Sequence, residues 1–288
     1  MTAGPALTRG ILLMIAAVFL FNVMDAIAKY VAHETNTVLA IWARYAGQTA
    51  LVLILVAPRF RTVIKTRYPK LQLARSVLLM VATGFYFFGF VSIGLANAAS
   101  VMATNPVIIT LGAALFLGER FGLRRAVGVT AALIGALIII RPGSDVFQPA
   151  ALFPLAAATC YSGYALVTRF VGKDEDVWTS LLYTAAFGTL ILSLIVPFYW
   201  QPLSWDLALL LGALGLFGTI GHWCLIQAFT AAEASSIAPF AYVGPIFATA
   251  LGALIFQDYP DALTYVGALV IVCAGIYVWH RETRARPA

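Results

Sequence analysis

Residues 105–119 read NPVIITLGAALFLGE, and residues 244–258 read GPIFATALGALIFQD. Each stretch has a proline as its second residue, continues through an apolar run and ends on an acidic residue. A shift of 139 residues lays the first stretch on the second without a gap. The chain therefore contains an internal duplication, and this duplication decides the fold that we predict.

The composition is that of a membrane protein. Of the 288 residues, 62% are hydrophobic and 10% are charged, and the mean hydropathy is +0.92. Soluble domains are about a quarter charged, and a bilayer core of ~30 Å requires about 20 apolar residues per helix. Dividing the sequence at its polar breaks predicts ten spanning helices, which begin near Gly10, Val38, Leu71, Ala98, Leu123, Pro149, Val177, Trp205, Ser235 and Ala262.

The duplication divides the chain into two repeats of five predicted helices, residues 1–144 and 145–288. A shift of 140 residues also places Lys29 on Arg169, near the ends of the first and sixth helices. Because five is an odd number, the second repeat must cross the membrane in the opposite direction to the first. Inverted repeats are typical of secondary transporters, which bind their substrates near the bilayer midplane between the repeats.

The basic residues predict the orientation of the chain. With the N-terminus inside, fifteen of the eighteen fall in cytoplasmic segments, namely Arg9, Arg59, Arg61, Lys65, Arg67, Lys70, Arg75, Arg120, Arg124, Arg125, Arg169, Lys173, Arg281, Arg284 and Arg286. This distribution follows the positive-inside rule and predicts that both termini are cytoplasmic. The net charge of +6 therefore needs no nucleic-acid partner. We expect an integral protein of a bacterial inner membrane.

The first apolar stretch also resembles a signal peptide, because Arg9 precedes it and Ala26-Ile27-Ala28 is similar to a cleavage site. The repeat needs this stretch as a structural member, and we therefore expect a spanning helix. The cysteines lie far apart within apolar stretches, which predicts packing roles rather than disulfides or a metal site; they are Cys160, Cys224 and Cys273.

Interrupted helices in corresponding positions of two repeats are the best sequence indication of a transport site. Here they are the fourth helix at Asn105-Pro106 and the ninth helix at Pro239 and Gly244-Pro245. A proline frees a backbone carbonyl, which in lipid must be satisfied by another group. The alternative is a kink that serves packing alone.

The order and spacing of these residues resemble the EamA-type members of the drug/metabolite transporter superfamily. In the first repeat the resemblance rests on Asn22 to Lys29, Trp42-Ala43-Arg44, Pro106, Gly118-Glu119 and Gly128. In the second repeat it rests on Pro239, Pro245, Asp258 and Gly267, with Asp258 at a position where glutamate is usual. The resemblance spans the whole chain.

This resemblance implies an all-helical fold of ten helices, with helices one to four and six to nine around a central cavity. Helices five and ten are then peripheral. It also implies the export of amino acids or other metabolites, and an aromatic-amino-acid exporter is the specific expectation. Other relatives import their substrates, or carry nucleotide sugars or phosphorylated sugars.

Three charged residues fall within predicted helices, where each costs about 2.5–3.5 kcal/mol on insertion scales. Asp25 and Lys29 are four residues apart on one helix face, and Arg44 lies ~9 Å into the second helix. They are expected either to neutralise one another, which fixes helices one and two, or to form an outer gate with a titratable carboxylate. Lys29 has a third possibility, since its long side chain can extend to the membrane interface.

His222 lies ~25 Å into the eighth helix, after Gly212, Gly215, Gly218 and Gly221 at a spacing that permits close helix packing. It either relays protons or hydrogen-bonds a neighbouring helix.

Aromatic and amide side chains deep in the predicted helices are candidates for binding a substrate, although each also suits simple packing. Together with Arg44 and His222, the predicted substrate-binding set is Asn22, Gln48, Tyr86, Asn105, Tyr161, Tyr164, Trp223 and Tyr242. The predicted coupling or gating residues are Asp25, Lys29, Arg44, His222, Pro106, Pro239 and Pro245.

The sequence contains neither a Walker-type loop nor a zinc-binding His-Glu-x-x-His motif. Its helices are too apolar to form the continuous polar stripe that would line a channel. We predict a carrier rather than an enzyme, without cofactor or metal, that works by alternating access as a monomer or weak homo-oligomer. Its expected partners are the lipid bilayer and a small-molecule substrate, and an amino acid is the first expectation for that substrate. Another metabolite class is the alternative, as is a polytopic scaffold without transport. The direction of flux and its coupling to protons stay open.

Overall fold

The structure is a computed structural model of the chain, and it describes residues 5–116, 123–140, 149–172, 174–232 and 237–285. The helices of the first half are α1 Pro5–Glu34, α2 Thr37–Val56, α3 Pro69–Ile93, α4a Leu95–Met102, α4b Asn105–Phe116 and α5 Leu123–Ile140. Those of the second half are α6 Leu152–Val171, α7 Val177–Ile195, α8 Trp205–Ala231, α9 Gly244–Phe256 and α10 Ala262–Ala285. Short 3-10 segments continue several of them.

Seven stretches of the described chain are long and apolar enough to cross a membrane. They are Ala6–Glu34, Thr37–Val63, Pro69–Ile93, Leu95–Phe116, Pro149–Val171, Val177–Tyr199 and Trp205–Ala231. Two shorter apolar helices, Phe240–Phe256 and Ala262–Ala274, follow. The prediction of an all-helical membrane protein is confirmed. Ten spanning helices in two inverted repeats stay a prediction, and the expected boundary between residues 144 and 145 lies outside the described residues.

The starts of α2 and α7 are capped in the same way. The Asn36 side chain accepts a hydrogen bond from the Leu39 N–H, and the Asp176 side chain accepts one from the Trp178 N–H. Such caps satisfy the N–H groups that have no partner within the helix. Asn36 and Asp176 are 140 residues apart, the shift that also relates Lys29 to Arg169.

The most extensive helix contacts pair α1 with α8, α3 with α6, and α5 with α10. Helix α2 packs between α7 and α8. The backbones of α2 and α8 meet at two glycines, since a Cβ on Gly215 would lie 2.5 Å from the Cα of Gly47. Of the four glycines that precede His222, Gly215, Gly218 and Gly221 face neighbouring helices. A Cβ added to Gly212 would meet nothing within 4 Å.

The fourth and ninth predicted helices are interrupted where their prolines indicated. Helix α4a ends at Met102 and α4b begins at Asn105, with Pro106 as its second residue. The 3-10 segment Ala238–Val243 leads into α9, with Pro245 as its second residue. Proline is tolerated in a first turn because the missing N–H has no helical acceptor there. The side chain of Pro239 lies outside the described residues.

Gly94 alone separates α3 from α4a, and its φ is +84°. A side chain would be strained in this conformation. A Cβ at this glycine would also lie 3.3 Å from Oδ2 of Asp258. The corner between α3 and α4a therefore packs against the end of α9.

Candidate functional site

A cavity lies between α1, α2, α3, α4a, α4b, α6, α8 and α9, with an empty volume of about 1010 Å³ that includes the space at its mouth. None of its described lining residues comes from α5, α7 or α10. The interrupted helices contribute Ala99, Met102, Ala103, Asn105, Pro106, Ile109, Ala241, Gly244 and Pro245. Both helix interruptions therefore open onto one cavity.

Many of the predicted site residues line this cavity. They are Asn22 and Asp25 from α1, Arg44 from α2, Tyr86 from α3, Asn105 and Pro106 from α4b, Tyr161 from α6, His222 from α8 and Pro245 from α9. Most of the remaining wall is apolar, including Phe21, Phe87 and Phe229. A largely apolar pocket with a few convergent polar groups is the usual form of a small-molecule site.

Other predicted residues lie outside the lining. Gln48 is fully buried where α2 passes Gly218 of α8. Tyr164 is fully buried behind Tyr161, and Trp223 packs on the cluster that contains Val52 and Ile226. Tyr242 packs with α4b and α10 rather than facing the cavity. Direct substrate contact by these residues stays a prediction.

Arg44 links three helices at the cavity wall. Its Nη1 donates a 2.6 Å hydrogen bond to Oγ1 of Thr83 on α3, and its Nη2 lies 3.4 Å from Nε2 of His222 on α8. A guanidinium only donates, so Nε2 of His222 accepts. Nδ1 of His222, 2.9 Å from the Gly218 carbonyl, then carries the proton. His222 is therefore a neutral residue with both ring nitrogens bonded, which fits the helix-bonding interpretation.

The sequence predicted a pair between Asp25 and Lys29, and this prediction is wrong. Lys29 instead forms an ion pair with Asp258, and its Nζ lies 4.4 Å from the centre of the Phe256 ring. Asp25 turns into the cavity, which Arg44 of α2 also lines. The described chain offers the Asp25 carboxylate neither a hydrogen bond nor an ion pair within bonding distance. The i, i+4 spacing permitted a pair, but the facing helix supplied a competing carboxylate.

Several buried polar atoms near the cavity have no hydrogen-bond partner. Among the described residues these include Nε of Arg44, Oδ1 of Asn22 and both amide atoms of Gln48. An unsatisfied buried group costs about 1–3 kcal/mol. Arg44 and Asn22 both line the cavity, so a ligand that offers an acceptor to Arg44 and a donor to Asn22 would recover part of this free energy.

Two polar residues of this region were not recognised from the sequence. Thr83 lines the cavity and holds Arg44. Arg75 was assigned to a cytoplasmic segment, yet its side chain is fully buried in α3. The spacing of Gln72 and Arg75, three residues apart on one helix face, is the sequence signal from which their shared network could have been predicted.

The chain is similar to a known protein family and to a solved structure. The model of the EamA-like transporter family matches it twice, at residues 8–141 and 148–279. A solved crystal structure of 20% sequence identity shares the fold with a TM-score of 0.70, over 97% of this chain and 99% of the other.

Among curated relatives, a riboflavin transporter of Vibrio cholerae is 24% identical, with 96% of this chain and 94% of the relative covered. A pseudopaline exporter of Pseudomonas aeruginosa is 29% identical, with 94% and 95% covered. An S-adenosylmethionine uptake transporter of Rickettsia conorii is 26% identical, with 91% and 89% covered. The relatives' names include both uptake and export, and none of these three names an amino acid. Since the family model covers most of its length in two matches, the chain belongs to the EamA-like transporter family.

Proposed function

We propose that this chain is a secondary transporter that carries small metabolites by alternating access, and that they bind between Asp25 and Arg44. The observation that carries the proposal is a cavity at which two helix interruptions meet, lined by one carboxylate and one guanidinium. Charged residues in membrane helices are costly and are normally functional. Here neither charge is fully satisfied by the described protein.

The cavity indicates the chemistry of the cargo. The Nε–H of Arg44 has no acceptor among the described residues, so it can donate a hydrogen bond to a substrate. The Asp25 carboxylate and Oδ1 of Asn22 can accept hydrogen bonds from the substrate. These groups suit a molecule with a carboxylate or similar acceptor at one end and an amino group at the other. The rings of Phe21, Tyr86 and Phe87 suit an apolar or aromatic body.

The names of the relatives favour a cargo other than a single amino acid. The relatives named above carry riboflavin, pseudopaline or S-adenosylmethionine. Another metabolite class is therefore a better expectation than an aromatic amino acid.

Alternating access in this proposal uses two inverted repeats, residues 1–144 and 145–288, in an inner membrane with both termini cytoplasmic. The packing of α1 on α8 and of α3 on α6 is what such a symmetry requires, because the repeat shift exchanges the two pairs. Thr49 of α2 and Thr189 of α7, which are 140 residues apart, hydrogen-bond each other at 2.8 Å. Two residues related by a two-fold axis contact each other only close to that axis, so this contact supports the proposed symmetry.

The ion pair of Lys29 and Asp258 is proposed to close the outer end of the cavity. The repeat shift relates Lys29 to Arg169 at the inner end, where Arg169 donates a 2.7 Å hydrogen bond to the carbonyl of Phe229. In this proposal, the pair of Lys29 and Asp258 breaks when the cavity opens at its outer end.

Counterflow into liposomes that contain the purified protein tests this proposal. We expect saturable exchange for at least one member of a panel of riboflavin, S-adenosylmethionine and aromatic amino acids. Arg44→Gln is expected to abolish it. Exchange that does not saturate, or channel-like conductance, would overturn the carrier. Failure to bind or move a broad metabolite panel would favour a scaffold.

A further inference from the structure

The Arg75 guanidinium is fully buried and has only neutral hydrogen-bond partners. Its Nε donates to Oγ1 of Thr168 at 2.7 Å, and its Nη1 donates to Oε1 of Gln72 and to the Ser180 carbonyl, both at 3.1 Å. Its Nη2 donates to Oη of Tyr164 at 3.1 Å. In the part of the chain that the structure describes, no carboxylate accepts from this guanidinium.

A buried charge normally has a partner of opposite charge, because desolvation is costly. Hydrogen bonds to side chains of α3 and α6 and to the backbone of α7 hold Arg75 in place, but none neutralises it. Neutral side chains can also join helices, so the positive charge is the distinctive property of this residue.

Arg75 lies one aromatic ring behind the cavity wall. The Tyr164 ring, which Arg75 contacts, is 5.6 Å from the ring of Tyr161 and 6.3 Å from the ring of His222. Tyr161 and His222 both line the cavity. The fully buried Tyr164 ring lies between Arg75 and these two residues, so the field of the guanidinium is weakly screened at the cavity.

The charges around the cavity do not balance. Asp25 and Arg44 carry opposite charges, Lys29 and Asp258 form a neutral pair, and His222 is neutral by its hydrogen bonds. Among the described residues, the buried charged side chains are Asp25, Arg44 and Arg75, so Arg75 is left in excess. We propose that Arg75 gives the cavity a net positive potential and is a specificity-determining residue that favours substrates with an additional anionic group over net cationic ones.

This inference rests on the proposed function and adds the charge class of the cargo to it. It implies that a carboxylate- or phosphate-bearing metabolite is preferred to a cationic one of similar size. A cargo with net positive charge, such as that of an S-adenosylmethionine carrier, is then disfavoured in this chain.

Charged thiol reagents measure the potential without knowledge of the cargo. A single cysteine is introduced at Met102 or Ala241, two half-buried lining positions on separate helical segments, in a background without Cys160, Cys224 and Cys273. The rates of reaction with a sulfonate-bearing and a trimethylammonium-bearing methanethiosulfonate are compared for the purified protein. Their ratio, referred to a free thiol, reports the local potential.

We expect the sulfonate reagent to be favoured, and Arg75→Gln to lower the ratio roughly tenfold, which corresponds to about 1.4 kcal/mol. Arg75→Lys keeps the charge and should keep the ratio. A merely structural role of Arg75 would change both rates together and leave their ratio unchanged, which would overturn the inference. If neither reagent reaches either cysteine, the cavity does not admit charged solutes, and the proposed function fails with the inference. If Arg75→Gln leaves the ratio of the two rates unchanged and the protein still transports a substrate, the inference about Arg75 is wrong but the proposed function stands.

Discussion

Lys29 in α1 forms an ion pair with Asp258, which follows α9, although 229 residues separate them in the sequence. The Asp258 carboxylate also lies beside Gly94, at the corner between α3 and α4a. The pair therefore joins three helical segments, one helical turn beyond Asp25, which lines the cavity. Its side chains are 14% and 33% exposed, so the pair is partly shielded from water.

Removal of one member of this pair is expected to favour opening of the outer side. For a partly exposed pair the effect should be up to about 1 kcal/mol, or about a fivefold shift in the equilibrium. The measurement is the rate at which an impermeant thiol reagent, added outside right-side-out vesicles, modifies a cysteine at Ala99. We expect Lys29→Gln and Asp258→Asn to raise this rate by similar factors.

The charge-reversed double variant, Lys29→Asp with Asp258→Lys, provides the control for the outer pair. It re-forms the attraction with the charges exchanged, so its rate should return toward that of the parent. If the double variant is as reactive as the single ones, the pair does not act as a gate.

Loss of Arg44 should be more damaging than loss of its neutral partner. Arg44→Gln removes the guanidinium that is proposed to hold the substrate, and hydrogen bonds to a charged group are worth about 1.5–3 kcal/mol each. Thr83→Val keeps the guanidinium and removes the hydrogen bonds that Oγ1 forms with Arg44, Tyr45 and the Leu79 carbonyl; a neutral hydrogen bond is worth about 0.5–1.5 kcal/mol. We therefore expect counterflow to fall more than a hundredfold in Arg44→Gln and about tenfold or less in Thr83→Val. Equal losses at comparable protein levels would remove Arg44 from the binding site.

Proton coupling, if present, should depend on Asp25 rather than on His222. Both ring nitrogens of His222 are bonded, to Arg44 and to the Gly218 carbonyl, whereas Asp25 faces the cavity. We expect an imposed pH gradient to drive accumulation in the parent and in His222→Gln, but not in Asp25→Asn. Accumulation that disappears in His222→Gln and persists in Asp25→Asn would reverse this assignment. Absence of gradient-driven accumulation in the parent would indicate facilitated flux.

The contact of α2 with α8 predicts opposite effects for two glycines of one helix. Gly215→Ala places a methyl group 2.5 Å from the Gly47 Cα, and overpacking costs about 1–3 kcal/mol. Gly212→Ala meets nothing within 4 Å, so the better helix propensity of alanine makes it neutral or stabilising by up to about 1 kcal/mol. The measurement is the thermal unfolding midpoint of the purified variants. Equal midpoints would show that the helices separate freely at this contact.

The sequence by itself determined what depends on neighbours along the chain. Apolar length predicted where the helices lie, and Pro106 and Pro245 predicted the two interruptions because a proline changes backbone bonding within its own turn. The cost of burying charge singled out Asp25, Lys29 and Arg44; the structure brings Asp25 and Arg44 to one cavity, whereas Lys29 pairs with Asp258.

The tertiary structure alone decided which polar groups meet. The sequence offered Asp25 to Lys29, but the fold brings Asp258 to it. Arg75 follows a basic segment and was assigned to the cytoplasmic side, yet the rotation of α3 turns it between α6 and α7. The physical reason is common to both cases. A membrane helix is apolar around its whole circumference, so hydrophobic periodicity does not mark its buried face, and only packing against the other helices selects it.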